Sequence, residues 1–198
     1  MAISPIKAFL SCSLRPEDEL IVNAVAKICR HYGFIPMLTV GKYEAAPMPI
    51  YQQMVNGIKK CDCVVLIATP RYQQQDIHSR KSCGHGISEM LHVETGMAAL
   101  EGKPVLAFVQ KGTNVGSFIP GLVQYIEIEL AQNGQISADF QLVHSYFCNA
   151  LHIVNANRKM AGNKELVSAG KALLTGIGAI TVLSALFSGG DPEYEEES

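Results

Sequence analysis

An α/β domain on an open, mainly parallel sheet of five strands, with helices on both faces, is the architecture the sequence predicts, and three observations carry it. The run Cys63–Thr69 (CVVLIAT) is apolar without interruption and rich in β-branched residues, so it reads as a parallel strand buried on both faces. Strand-like and helix-like segments alternate from residue 6 to residue 128, the order of successive βα units. The helical segments repeat apolar residues at three- and four-residue spacing, which gives each of them one face to lay on a sheet. Parallel strands joined in this way need right-handed crossovers, and their ligands bind beyond the carboxyl ends of the strands.

The first strand is IKAFLS, from Ile6 to Ser11. Ser13 and Arg15 form a polar turn, Pro16 suits a first helical position, and Glu17 and Asp18 favour a helix start. Leu20, Ala24, Val25, Ile28 and Tyr32 then mark a helix that Gly33 ends. Residues 34–40 form a second strand. A proline-rich connection leads to a helix marked by Ile50, Met54, Val55 and Ile58, and Cys63–Thr69 follows as the third strand. The next segment, from Thr69 to Ser88, is polar and shows no periodicity, which predicts a long loop, of the kind that either binds or is disordered.

The helix after that loop holds a misplaced carboxylate. Ser88 stands at its N-cap, Gly102 at its stop, and Pro104 forbids its continuation, which leaves about three turns. At about 100° per residue, Met90, Leu91, Val93, Met97, Ala98 and Leu100 cover one broad apolar arc, and Glu94 and Glu101 project inside it. Glu101 lies in the last turn and can bend out to water. Glu94, with Met90 and Met97 one turn away on either side, is expected to face the core, where a carboxylate is costly unless something pairs with it or uses it. A buried carboxylate that caps a neighbouring loop or pairs with an arginine is the structural alternative.

PVLAFV, from Pro104, is the fourth strand, QKGTNVGSFIPG a loop, and a short strand around Tyr125–Ile128 the fifth; residues 139–155 form a further helix. The carboxyl edge of this sheet collects Ser11, Ser13 and Arg15 after the first strand and Thr69 and Arg71 after the third. The GxGxxG dinucleotide fingerprint is absent.

The chain has 198 residues, enough for one α/β domain, placed at 1–155, and a short appendage at 156–198. A net charge of −2, with 16 Lys and Arg spread along the chain, argues against nucleic acid as a partner. Six cysteines without CxxC pairs read as reduced, buried thiols of a cytoplasmic protein. Cys61 and Cys63 with His78 and His85 match no common zinc spacing, so no metal is expected. The N-terminus shows no export signal. Residues 172–190 carry no charge, at the lower edge of what spans a bilayer. An apolar helix packed on protein, a membrane contact and a partly ordered segment all fit them, and an acidic end follows.

Three stretches, AFLSCSLRPEDELIVNAV, GIKKCDCVVLIATPRY and ISEMLHVETGMAALEGKPVLAF, together resemble the TIR-like domains of bacteria, over roughly residues 6 to 128. The nucleoside 2-deoxyribosyltransferases are similar in the same flavodoxin-like organisation and in a glutamate-helix-strand element. In both families that glutamate is catalytic, and the matching position is Glu94. Met90 stands where TIR domains often carry an aromatic residue, and the acidic-Ser-Gly-Thr stretch common in deoxyribosyltransferases is missing, so the TIR-like likeness is the stronger. It implies an NAD glycohydrolase, with NAD as substrate and no separate cofactor, active as a homo-oligomer and in keeping with a defence role. Glu94 would meet the ribosyl carbon, and Ser11, Ser13, Arg15, Thr69, Arg71 and Ser88 would line or bind the substrate. A deoxyribosyltransferase-like N-glycosidase acting on a nucleoside or nucleotide is the first alternative, and a non-catalytic interaction module is the second.

Overall fold

The computed structural model describes residues 5–37, 47–131 and 135–162. Its main sheet has six strands: β1 (Ile6–Ser11), β2 (Phe34–Met37), β3 (Cys63–Ala68), β6 (Val105–Gln110), β8 (Tyr125–Leu130) and β9 (Ile136–Ser137), in the order β2-β1-β3-β6-β8-β9. The first five are parallel. β9 returns antiparallel on β8, with Glu129 opposite Ser137 and Leu130 opposite Ile136. The sheet is therefore mixed and six-stranded, where five mainly parallel strands were expected. Two-residue β9 was invisible in the sequence because a strand that short has no period.

Alternate residues of each strand point to opposite faces, and the core divides accordingly. On one face Ala8, Leu10, Val65, Ile67, Leu106 and Phe108 meet α1 (Glu19–His31) and α5 (Phe140–Gly162) through Ile21, Val25, Cys29, Val143 and Phe147. On the other, Phe9 and Val64 meet α2 (Ile50–Lys60) through Ile58 and α3 (Glu89–Leu100) through Ala98. Leu66, Ala107 and Val109 meet Leu91 of α3 and Ile119 of α4 (Phe118–Leu122). Every residue of β3 is buried, as its unbroken apolar run requires. Tyr146 of α5 locks its helix to the sheet: its hydroxyl donates to the Gln124 carbonyl at 2.5 Å, with the Val105 carbonyl 3.2 Å away, and accepts from the Ala107 amide.

The segment expected as a long featureless loop is a small sheet of its own. β4 (Tyr72–Gln75) and β5 (Ser82–Gly86) form an antiparallel hairpin with an irregularity between Gln73 and Gln75, and β7 (Thr113–Asn114) adds parallel to β5. Its turn is held by Asp76, whose carboxylate accepts from the Ser79 and His78 amides at 2.6 and 3.1 Å. Most side chains of β4 and β5 are exposed. With no face to bury, the hairpin has no alternation to read. The QKGTNVGSFIPG loop likewise contains β7 and α4. The first helix begins as a 3-10 turn, Pro16–Asp18.

The expectation for the face of α3 holds only in part, and Met97 is partly buried against the core. Leu91, Glu94, Thr95 and Ala98 are buried, whereas Met90, Val93 and Leu100 are exposed by 44%, 45% and 90%. The cysteines are less uniform than expected: Cys29, Cys61 and Cys63 are buried, Cys12 and Cys148 half-buried and Cys83 exposed, all six free. Burial pushes the Cys29 thiol up to about 12 and that of Cys61 to about 11. Among the described residues no cluster of His, Cys, Asp and Glu could hold a metal, and no helix is long and apolar enough to cross a membrane. The chain divides into two compact units, 1–157 and 158–198; residues 172–190 lie outside the described residues.

Candidate active site

The strand order places a switch point between β1 and β3: from β1 the chain runs outward to β2 and then returns to the other side as β3. Loops leaving the carboxyl ends of such a pair open a crevice. Ser11 ends β1 opposite Leu66 of β3, and it is wholly buried. Its hydroxyl donates to Oε2 of Glu94, which comes from the second turn of α3. These two residues, 83 apart in the chain, are joined by a buried hydrogen bond at the carboxyl edge of the sheet.

Glu94 is only 7% exposed. Desolvation disfavours its charged form and pushes the carboxyl up to about 7, and the Ser11 hydroxyl works against that shift by stabilising the anion. Among the described residues Glu94 forms no ion pair. The group is therefore a carboxyl poised between acid and anion near neutral pH, held by burial in place of an ion pair.

The loop walls are tied across the switch point by Arg15. Its Nη2 donates to the Pro70 carbonyl at 2.6 Å and to Asp18 Oδ2 at 2.8 Å, and its Nε donates to the same Asp18 oxygen at 2.8 Å. Asp18 is 6% exposed, so the pair joins the start of α1 to the loop after β3 from a mostly buried position. Ser13 Oγ accepts from the Arg15 amide and Nε at 3.3 and 3.4 Å, which makes it part of the same turn. Arg15 is thus engaged by protein groups, and its geometry is that of a wall.

The remaining sequence candidates lie around this centre without a shared hydrogen bond. Thr69 is buried directly after β3. Arg71 is exposed; its amide donates to the Gly86 carbonyl at 2.7 Å and closes the base of the β4–β5 hairpin. Ser88 is the positional N-cap of α3, yet its side chain makes no capping bond. Its carbonyl accepts from the Leu91 amide instead.

Sequence reading missed two features. Asp18 was assigned only to a helix start, although its spacing of three from Arg15 would bring the two together on a first turn. The second is the contact at Gly86, the last residue of β5, where an added Cβ would lie 2.7 Å from the Tyr72 ring and the Gln74 amide. Those side chains fill the space above the hairpin's end, and glycine is what lets them do so. No one-dimensional signal marks a close approach between strands.

Fold and site together define an α/β domain with a buried, hydrogen-bonded carboxyl at its switch point. No family model matches the chain, and no curated protein matches it. Among solved structures it is similar to the CMP N-glycosidase BcmB of Clostridium botulinum, with 17% identity, a TM-score of 0.41, and coverage of 61% of this chain and 87% of that one. It is also similar to a 2-desoxiribosyltransferase from Leishmania mexicana (18% identity, TM-score 0.38, 53% of this chain and 65% of that one). A conserved protein from Enterococcus faecalis V583 compares at 16% identity and a TM-score of 0.37, over 55% of this chain and 65% of that one. Likenesses this loose carry nothing to the site.

Proposed function

We propose that the protein breaks the N-glycosidic bond of a nucleoside or nucleotide, with Glu94 as the group that meets the anomeric carbon. The observation that carries this reading is the buried Glu94 carboxyl held by Ser11 at the carboxyl edge of the sheet. Cleavage of a ribosyl C–N bond develops positive charge on the sugar, and a carboxylate in a water-poor crevice stabilises that charge strongly. In its ionised form Glu94 either stabilises the oxocarbenium ion or forms a bond to C1′, while the C–N electron pair leaves with the base. Water or a second base then takes the sugar. Ser11 keeps the attacking oxygen oriented and favours its ionised state.

Two donors fit this chemistry and differ in the leaving group. Nicotinamide departs from NAD as a neutral molecule and needs no proton, which suits a site where Glu94 titrates without a charged partner. A pyrimidine or purine must be protonated as it leaves, which calls for an acid besides the nucleophile. The TIR-like sequence likeness favours the first donor.

The full-length protein is incubated with NAD, with nucleoside monophosphates and with deoxynucleosides, and released base and sugar are separated by chromatography. Base release from one donor class, lowered at least a thousandfold in Glu94→Gln, is the expected result. No release from any donor overturns the proposal and leaves the interaction module as the reading. Release that survives in Glu94→Gln removes Glu94 from the chemistry.

A further inference from the structure

The six cysteines are not chemically equivalent. Cys29, Cys61 and Cys63 are buried, and burial raises all three thiols, so they stay protonated and closed to reagents. Cys83 is exposed, and its thiol donates to the Lys81 carbonyl at 3.7 Å, a group that takes no proton. Cys148 on α5 is half-buried and differs from both kinds. Its Sγ lies 3.6 Å from Nε2 of His144, one helical turn back. A thiol in that position has a base within reach, and the thiolate is the form that reacts.

The imidazole is held from two sides. His144 Nδ1 lies 3.4 Å from the Tyr32 hydroxyl at the end of α1. The Tyr32 ring stacks on the buried Phe147, with centroids 4.5 Å apart and planes 4° apart, which fixes where that hydroxyl stands. Phe140 lies nearly parallel to the imidazole, at 6.3 Å and 18°. With the Nδ1 proton donated to the Tyr32 oxygen, Nε2 presents its lone pair to the Cys148 thiol. A nucleophile, its base and the group that orients the base thus follow one another across α5 and α1. They stand on the face of the sheet opposite α3, so the chemistry of Glu94 makes no use of them.

We propose that Cys148 is a reactive thiol that hydrogen peroxide oxidises to the sulfenic acid, with His144 as its base and Tyr32 as the residue that positions the base. His144 Nε2 takes the thiol proton. The sulfur attacks one peroxide oxygen, the S–O bond forms as the O–O bond breaks, and the departing hydroxide recovers the proton from His144 and leaves as water. The sulfur gives up two electrons and the peroxide gains them. Oxidation of this kind follows thiolate character and access, and Cys148 combines an adjacent imidazole with a side open to solvent.

The full-length chain is exposed to hydrogen peroxide, sulfenic acid is trapped with dimedone, and the rate at each cysteine is read by peptide mass spectrometry. Cys148 is expected to react about tenfold faster than Cys83, although Cys83 is the more exposed of the two. His144→Gln is expected to bring Cys148 down to the rate of Cys83 while leaving Cys83 unchanged. Tyr32→Phe keeps the ring stack, removes the hydroxyl and is expected to slow Cys148 as well. Buried Cys29 and Cys63 stay unlabelled in a folded variant, so loss of the fold cannot pass for loss of the base. Equal rates at Cys148 and Cys83 in the wild type overturn the proposal. So does a Cys148 rate that His144→Gln leaves unchanged, and a rate that Tyr32→Phe leaves unchanged removes Tyr32 from it.

Discussion

Replacing Glu94 by glutamine should stabilise the fold, by an amount that depends on pH. Burial raises the carboxyl from 4.5 to about 7. Between those values the folded protein holds a proton that the unfolded chain has released. Folding stability therefore declines as pH rises from 4.5 through 7 and is level above. A shift of about 2.5 units at 1.36 kcal/mol per unit makes the full loss ~3 kcal/mol, reached above pH 7. Glutamine keeps the shape, accepts the Ser11 hydrogen bond and never ionises. The variant should thus match the wild type in this contribution at pH 4.5 and exceed it by ~3 kcal/mol at pH 8. Urea unfolding followed by circular dichroism at the two pH values measures the difference. Equal pH dependence in the two proteins would show that the Glu94 carboxyl is not held in a desolvated site, and the case for its function would fall with it.

Two further outcomes follow from the same geometry. Ser11→Ala removes a hydrogen bond to the anion worth about 1 kcal/mol, so the acidic limb of the pH–rate profile should move up by about 0.7 unit; an unmoved limb would mean that Ser11 does not tune Glu94. Arg15→Gln leaves Asp18 buried without its cation and unties the Pro70 carbonyl, which should cost ~2 to 4 kcal/mol in denaturant unfolding. A change within experimental error would make Arg15 a solvated residue free to meet substrate.

The sequence by itself determined the parts whose physics is local or periodic. Four of the helices and the five parallel strands were legible because apolar spacing encodes which faces are buried: unbroken in β3 where both faces are covered, three-and-four in α1, α2 and α5 where one is. Glu94 was legible because a carboxylate among apolar residues is energetically conspicuous wherever the chain goes. Its neighbours were not. The arc of Met90, Leu91, Val93, Met97, Ala98 and Leu100 was assigned to the core with Glu94 inside it; the tertiary structure buries Leu91, Glu94 and Ala98, adds Thr95, and leaves Met90, Val93 and Leu100 exposed. An amphipathic pattern says that a face is apolar and never what covers it. Spacing along the chain is likewise silent on long-range partners, so only the folded sheet could bring Ser11 to Glu94 or Arg15 to the Pro70 carbonyl. The hairpin of β4 and β5 is the same lesson in a polar segment: backbone hydrogen bonds to each other and to β7 define it, and backbone pairing leaves no mark on side-chain hydrophobicity.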